Sequence, residues 1–177
     1  VDGFETSVRA VLGQQVSVKG ATTISGRIVE RWGETLPATL AGDASIQALF
    51  PPPEALVDVP LEEVGLTRAR ADTIRGLATA VLDTPSLLGP AADLDGGITA
   101  WEALRGIGPW TAHYVAMRVL GEPDALPVGD LGLRKAVAPK NAVEPASSRE
   151  VEKRLEGVRP YRAYAAMRLW DGLGGDA

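Results

Sequence analysis

The sequence predicts an all-α protein. Apolar residues recur at three- and four-residue spacing in several segments, the period of a helix with one buried face. Ser, Thr or Pro stands where such segments begin, and Gly often stands where they stop. No stretch shows the strict alternation of a half-buried strand.

Phe4, Val8, Val11 and Leu12 fall on one side of a first helix, which Gly13 interrupts. Gln14-Gln15-Val16-Ser17 is then a polar elbow, and Ser17 can cap the next helix. That helix carries Ala21, Ile24, Ile28 and Val29 and ends near Trp32-Gly33. The Pro- and Gly-rich stretch 37–53 reads as a linker, with one helical turn around Ile46–Phe50. Short helical turns are expected at Pro53–Val57 and Leu61–Val64. Thr67 caps a long helix whose buried stripe is Ala71, Ile74, Leu77, Ala78, Val81 and Leu82. A second loose connection, 84–97, leads to a helix over Ile98–Leu104. Pro109 suits the first position of the next helix, which runs to about Leu120. After a loop over 121–129, helices are expected at Leu131–Val137, Ser147–Leu155 and Pro160–Leu173, for eight to ten in all.

At 177 residues the chain can bury roughly 70% of its unfolded surface, so it needs no covalent staple. It has no cysteine, which excludes disulfides, a thiolate nucleophile, thiolate-bound zinc and a cysteine-ligated iron–sulfur cluster. There is neither an apolar run long enough to span a membrane nor a visible secretory signal, so no membrane partner and a cytoplasmic location are expected. The chain starts at Val1 rather than Met and runs almost directly into a helical pattern, as a fragment lacking an upstream domain would. The net charge of −5 argues against a general polyanion binder. Between Arg149 and Arg168, however, six basic residues stand against three acidic ones, enough for a local basic face.

The stretch 104–112, Leu-Arg-Gly-Ile-Gly-Pro-Trp-Thr-Ala, joins two helices through a Gly-x-Gly turn. Gly106 and Gly108 permit a tight turn, and backbone N–H groups at the start of the helix opened by Pro109 suit a phosphate. An ordinary helix–helix turn uses the same glycines. Asp130 is placed to cap the helix at Leu131, where the helix dipole attracts negative charge. Beyond capping, such an anion can stabilise the oxocarbenium-like sugar formed when an N-glycosidic bond breaks. Trp110 and Tyr114 share a helix face, and Trp170 lies on the last helix. Core packing is their everyday role; a cleft lined by them would also stack an extruded, electron-poor base. Gln14 and Gln15 either form a polar turn or fill the duplex gap left by a flipped nucleotide. His113, the sole histidine, has no visible partner and reads as a solvated or packing residue.

Taken together, residues 104–112 and Pro127-Val128-Gly129-Asp130-Leu131-Gly132-Leu133 resemble the signature of the helix-hairpin-helix (HhH-GPD) DNA glycosylases. The resemblance is greatest to the alkylation-repair branch of 3-methyladenine DNA glycosylase II. Residues 12–18, 65–75 and 159–170 fit it too, so it covers nearly the whole chain. It implies a two-lobed helical fold without the family's N-terminal β domain, one lobe near 18–97, the other 1–17 with 98–177, and the hairpin motif at 98–120. It implies Asp130 as the catalytic residue; Trp110, Tyr114 and Trp170 as the base pocket; and Gln14, Gln15, Gly106, Gly108 and Thr111 as DNA contacts. At the position of Gln15, the wedge into the duplex, relatives of this type commonly carry leucine. The carbonyls of Glu102, Leu104 and Ile107 match a site for Na+ or K+, with no other cofactor required.

Where bifunctional relatives carry a Schiff-base lysine, this chain has Trp110, so backbone cleavage lacks its nucleophile. The implied protein is a monomeric, monofunctional glycosylase acting in base excision repair on alkylated purines in double-stranded DNA at the nucleoid. The competing readings are a non-catalytic lesion-binding module and a glycosylase for deaminated bases.

Overall fold

A computed structural model describes residues 2–37 and 48–174. Among them are eight α-helices: α1 Gly3–Leu12, α2 Val18–Trp32, α3 Arg68–Asp83, α4 Leu94–Glu102, α5 Pro109–Val115, α6 Leu131–Val137, α7 Ser148–Leu155 and α8 Arg162–Gly174. The all-α expectation holds, with one departure. Glu34–Thr35 (β1) pairs antiparallel with Ala48–Leu49 (β2), where a helical turn was expected around Ile46–Phe50. Two-residue strands are too short to show alternation. Their signal is Gly33: an added Cβ would lie 2.6 Å from the Leu49 carbonyl oxygen, so the strand passes where only glycine leaves room. Ile46 itself lies outside the described residues.

The chain divides into two compact units, Val1–Gly89 with Ala103–Ile107, and Pro90–Glu102 with Gly108–Ala177. The lobes expected from sequence put α1 with the C-terminal half; the compact units instead group it with α2 and α3.

In the first unit, caps at Asp2, Ser17 and Thr67 each accept a backbone N–H three residues on, satisfying donors that a helix start leaves open. Phe4, Val8, Val11 and Leu12 are buried as the spacing predicts. In α3 the stripe from Ala71 to Val81 is buried, but Leu82 is exposed. In α2 only Ile28 of the four expected core residues is fully buried, and Ser25 joins it. Arg75 on α3 binds Glu62 through both terminal nitrogens and reaches Asp72 and the Val59 carbonyl, tying the short 3-10 turn Leu61–Val64 to the helix.

In the second unit, α4 begins four residues before the expected Ile98, because Asp93 accepts the Gly96 amide and caps it. After α5 the helix widens into a π turn over Ala116–Leu120, and Gly121 ends it at φ +76°. A capping box of Ser147 and Glu150 opens α7. The core holds Leu126, Leu133, Ala146, Val151, Leu155 and Ala166.

Gly106, the first glycine of the Gly-x-Gly turn, is fixed within the first unit. Gly106 has φ +86°, a left-handed conformation costly for any residue with a side chain. A Cβ there would lie 2.0 Å from Thr73 Oγ1. The Gln14 side-chain amide donates to the Gly106 carbonyl at 3.1 Å, and Arg70 donates to the Gln14 carbonyl at 2.6 Å. The glycine therefore meets both a dihedral requirement and a close approach. Gly106→Ala is expected to lower unfolding stability by about 2 kcal/mol or more, the sum of left-handed strain and overpacking. Urea denaturation of Gly106→Ala, Thr73→Ala and the double variant checks this: the double should lose less than the two singles combined.

Candidate active site

Asp130 caps α6, as expected, through the Leu133 amide, which donates to its Oδ1 at 2.9 Å. Two further donors reach the same carboxylate. Trp170 Nε1 donates to Oδ1 at 2.8 Å, and Trp110 Nε1 donates to Oδ2 at 2.9 Å. The group is thus held from α5, α6 and α8 at once. The Tyr114 ring stacks on Trp110, with centroids 5.3 Å apart and planes 19° from parallel. It lies 6.2 Å from Trp170 at 48°. The expected aromatic set is therefore assembled beside Asp130, but its two indoles do more than offer faces. Their edges orient the carboxylate.

Gly132, two residues beyond Asp130 in the same motif, makes room for this contact. A Cβ on it would lie 2.9 Å from Asp130 Oδ1 and 3.2 Å from the Trp170 ring. Its missing side chain lets the Trp170 indole reach the carboxylate.

The loop that delivers Asp130 is also tied down within this unit. Arg162, 5% exposed, donates from Nε and Nη2 to the two carboxylate oxygens of Asp124, each at 2.8 Å, and from Nη2 to the Asp124 carbonyl at 3.0 Å. Arg159 adds a fourth bond to Asp124, at 2.9 Å. Burial works to raise the Asp124 carboxyl, but the Arg162 hydrogen bonds and the charges of Arg162 and Arg159 hold it below the ordinary value. His113 is half-buried, as a packing residue would be, and it does more than pack: its Nδ1 accepts the Leu126 amide at 3.2 Å. Such long-range pairings leave no mark in residue spacing. The basic face read from residues 149–168 is reduced accordingly, since Arg162 is buried and Arg159 is spent on Asp124 and Glu156.

The expected DNA contacts differ in standing. Gln15 is exposed and has φ +57°, the only positive φ of a non-glycine residue among the described ones. Strain of this kind collects at functional positions. Val16 and Val18 beside it are exposed too, Val18 at 86%. Gln14 is partly buried, and its amide serves the Gly106 carbonyl. Thr111 is 2% exposed, so its side chain is not open to a ligand. Gly108 precedes Pro109 and starts α5, accepting the Ala112 amide. Of the three carbonyls expected to hold an ion, Leu104 and Ile107 lie in the first unit, and the Leu104 carbonyl accepts the Ile107 amide at 3.1 Å. Glu102 ends α4 in the second unit. Among the described residues no group of His, Cys, Asp and Glu side chains could hold a metal ion, and no helix is long and apolar enough to cross a membrane.

A family model for the HhH-GPD superfamily of base excision DNA repair proteins matches residues 8–160. The chain is 38% identical over 173 residues to a probable bifunctional transcriptional activator/DNA repair enzyme of Mycobacterium tuberculosis, covering 98% of this chain and 34% of that protein. It is 30% identical to DNA-3-methyladenine glycosylase 2 of Escherichia coli, covering 96% of this chain and 57% of the relative. The chain therefore spans between a third and three fifths of the length of these relatives. The structure of a 3-methyladenine DNA-glycosylase from Archaeoglobus fulgidus superposes with a TM-score of 0.81 at 25% identity, over 96% of this chain and 57% of that one.

The Arg162–Asp124 pair carries a stability prediction. Arg162→Met would leave the Asp124 carboxylate, 15% exposed at its side chain, without its main partner, at a cost of about 3 kcal/mol near pH 7. Because the folded Asp124 carboxyl lies below 3.8, the pair's contribution is present above that pH and fades as pH falls further. Urea midpoints should show a gap between wild type and Arg162→Met at pH 7 that narrows below pH 4.

Proposed function

Since this chain belongs to the HhH-GPD superfamily of base excision DNA repair proteins, we propose that it is a monofunctional DNA glycosylase releasing alkylated purines of the 3-methyladenine type from double-stranded DNA. The observation that carries the proposal is the Asp130 carboxylate, oriented by Trp110, Trp170 and the Leu133 amide beside a stacked Trp–Tyr pair. The glycosylase names of the relatives support the same reaction.

The damaged nucleotide leaves the duplex at a cost of a few kcal/mol, lower where pairing is already weakened. Gln15 takes its place in the stack. An N3- or N7-alkylated purine carries positive charge, so the indoles and Tyr114 attract it through their ring faces. The same charge makes it a good leaving group that needs little help from a general acid. As the N-glycosidic bond breaks, Asp130 stabilises the cationic sugar and orients the water that adds to it. Base and sugar separate, and the strand is left uncut. Cleavage of the backbone by elimination would need an amine to attack the sugar. The residue after Pro109 is Trp110, whose indole nitrogen already serves Asp130.

Gly106 and Gly108 contact phosphate through backbone groups and carry no base preference. The Leu104 and Ile107 carbonyls are neutral oxygen donors of the kind that suits Na+ or K+, and an ion there would add positive charge to the turn; no organic cofactor is needed.

Purified protein should release 3-methyladenine from methylated duplex, faster than hypoxanthine or uracil from matched substrates, and should leave an abasic site that breaks only on alkaline treatment. Asp130→Asn should lose at least a hundredfold in single-turnover rate while binding duplex DNA within a few-fold of wild type. A near-wild-type rate in that variant would sink the mechanism, and base-independent binding without release would favour a lesion-binding module.

A further inference from the structure

Helix α5 touches the segment 126–130 at both of its ends. Trp110 donates to the Asp130 side chain, and one turn later His113 accepts the Leu126 amide. Between these ends the chain is bound to itself: the Val128 amide donates to the Leu126 carbonyl, and the Asp130 amide to the Pro127 carbonyl, both at 2.9 Å. Leu126 is 1% exposed, so its amide cannot turn to water instead. A backbone amide can only donate. His113 Nδ1 therefore carries a lone pair, and the ring proton sits on Nε2.

We propose that neutral His113 is a positioning residue for Asp130, its Nδ1 fixing the start of the segment whose end carries the carboxylate. The inference rests on the role given to Asp130 above. A displacement of about 1 Å at a reacting group can cost a hundredfold in rate, so a lost anchor four residues away is felt at the chemistry.

The bond exists only while the imidazole is neutral. A second ring proton would place two N–H groups face to face. Burial lowers the His113 pKa from its ordinary value, and the Arg162 guanidinium on α8 lowers it further; Glu102 and Asp95 on α4 pull the other way. The clamp is therefore intact at pH 7, and it opens as pH falls below 6.5 through the lowered value.

Two substitutions separate positioning from mere packing. His113→Leu fills the space but accepts nothing. His113→Asn places Oδ1 close to the position of Nδ1 and does not titrate near neutrality. The readouts are the exchange protection of the Leu126 amide by NMR, relative to its intrinsic rate, and single-turnover release from methylated duplex from pH 8 down to the acid limit of folding, with DNA affinity measured alongside.

In wild type, the amide should be protected at pH 7.5 and lose protection as pH falls through the lowered His113 pKa, with release slowing in step. His113→Asn should keep protection and rate within about threefold across the range. His113→Leu should lose protection at every pH and at least tenfold in rate, with DNA affinity unchanged. Wild-type protection and rate in His113→Leu, or a wild-type acid limb in His113→Asn, would overturn the inference. A wild-type protein that releases no base while its Leu126 amide still follows His113 would remove the glycosylase reading and leave the clamp standing.

Discussion

The Asp130 carboxylate accepts three N–H groups that come from three helices, at residues 110, 133 and 170. A charged group half out of water needs such partners, and here each one requires its helix to be formed and packed. The Leu133 amide is available because α6 begins at Asp130. The Trp110 indole is available because Pro109 starts α5 one residue earlier. Trp170 can reach in because Gly132 has no side chain and because Ala166, one turn back on α8, packs with Leu133 in the same core. The second unit is in this sense assembled around one anion. Its apolar core sets the distances that the hydrogen bonds then use.

That arrangement bears on the chemistry as well as the fold. Two carboxylate oxygens offer about four lone-pair sites, and three are occupied. A group so committed has little freedom to swing, and it keeps one direction open for a water or a developing positive charge. Preorganisation of this kind matters more than raw basicity when the task is to stabilise a cation that exists only in the transition state. The aromatic rings share the work. Their edges hold the carboxylate, while the stack of Tyr114 on Trp110 keeps the ring planes fixed.

Much of this was legible in the sequence, for local reasons. Ser17, Thr67 and Asp130 cap helices through bonds three residues long, and periodic apolar residues mark the buried faces of α1 and α3. The spacing of Trp110 and Tyr114 guaranteed a shared helix face, and motif resemblance brought Asp130 and Trp170 to them. What stayed hidden is long-range and polar. Nothing local ties Arg162 to Asp124 or His113 to Leu126, so from sequence the lone histidine reads only as solvated or packing. Gln14 looked like half of a DNA-facing pair, yet its amide braces Gly106 across 92 residues, while Gln15 alone stands exposed. Thr111 was read with its neighbours in the hairpin motif, and only burial separates it from them. The two-residue strands failed the test of alternation simply by being short.

The net charge of −5 looked like an obstacle to a DNA partner, and the placement of the arginines sharpens it. Arg162, Arg159 and Arg75 are committed to carboxylates within their own units, and Arg70 to the Gln14 carbonyl. These cations hold loops and turns in place and offer little to a phosphate. Duplex binding of the kind proposed above would lean on backbone N–H groups and on the basic side chains exposed elsewhere, among them Lys19, Arg68, Arg105, Lys135, Lys140, Arg149, Lys153, Arg154 and Arg168. Fewer neutralised phosphates mean weaker nonspecific attachment and a shallower dependence on salt. In the proposed reaction, discrimination would rest on the steps after contact, namely the cost of extruding a base and the fit of that base against Trp110, Tyr114 and Trp170. If its substrates are the cationic bases proposed above, that division is physically economical: selectivity is placed where the lesion's own charge meets the ring faces and the carboxylate.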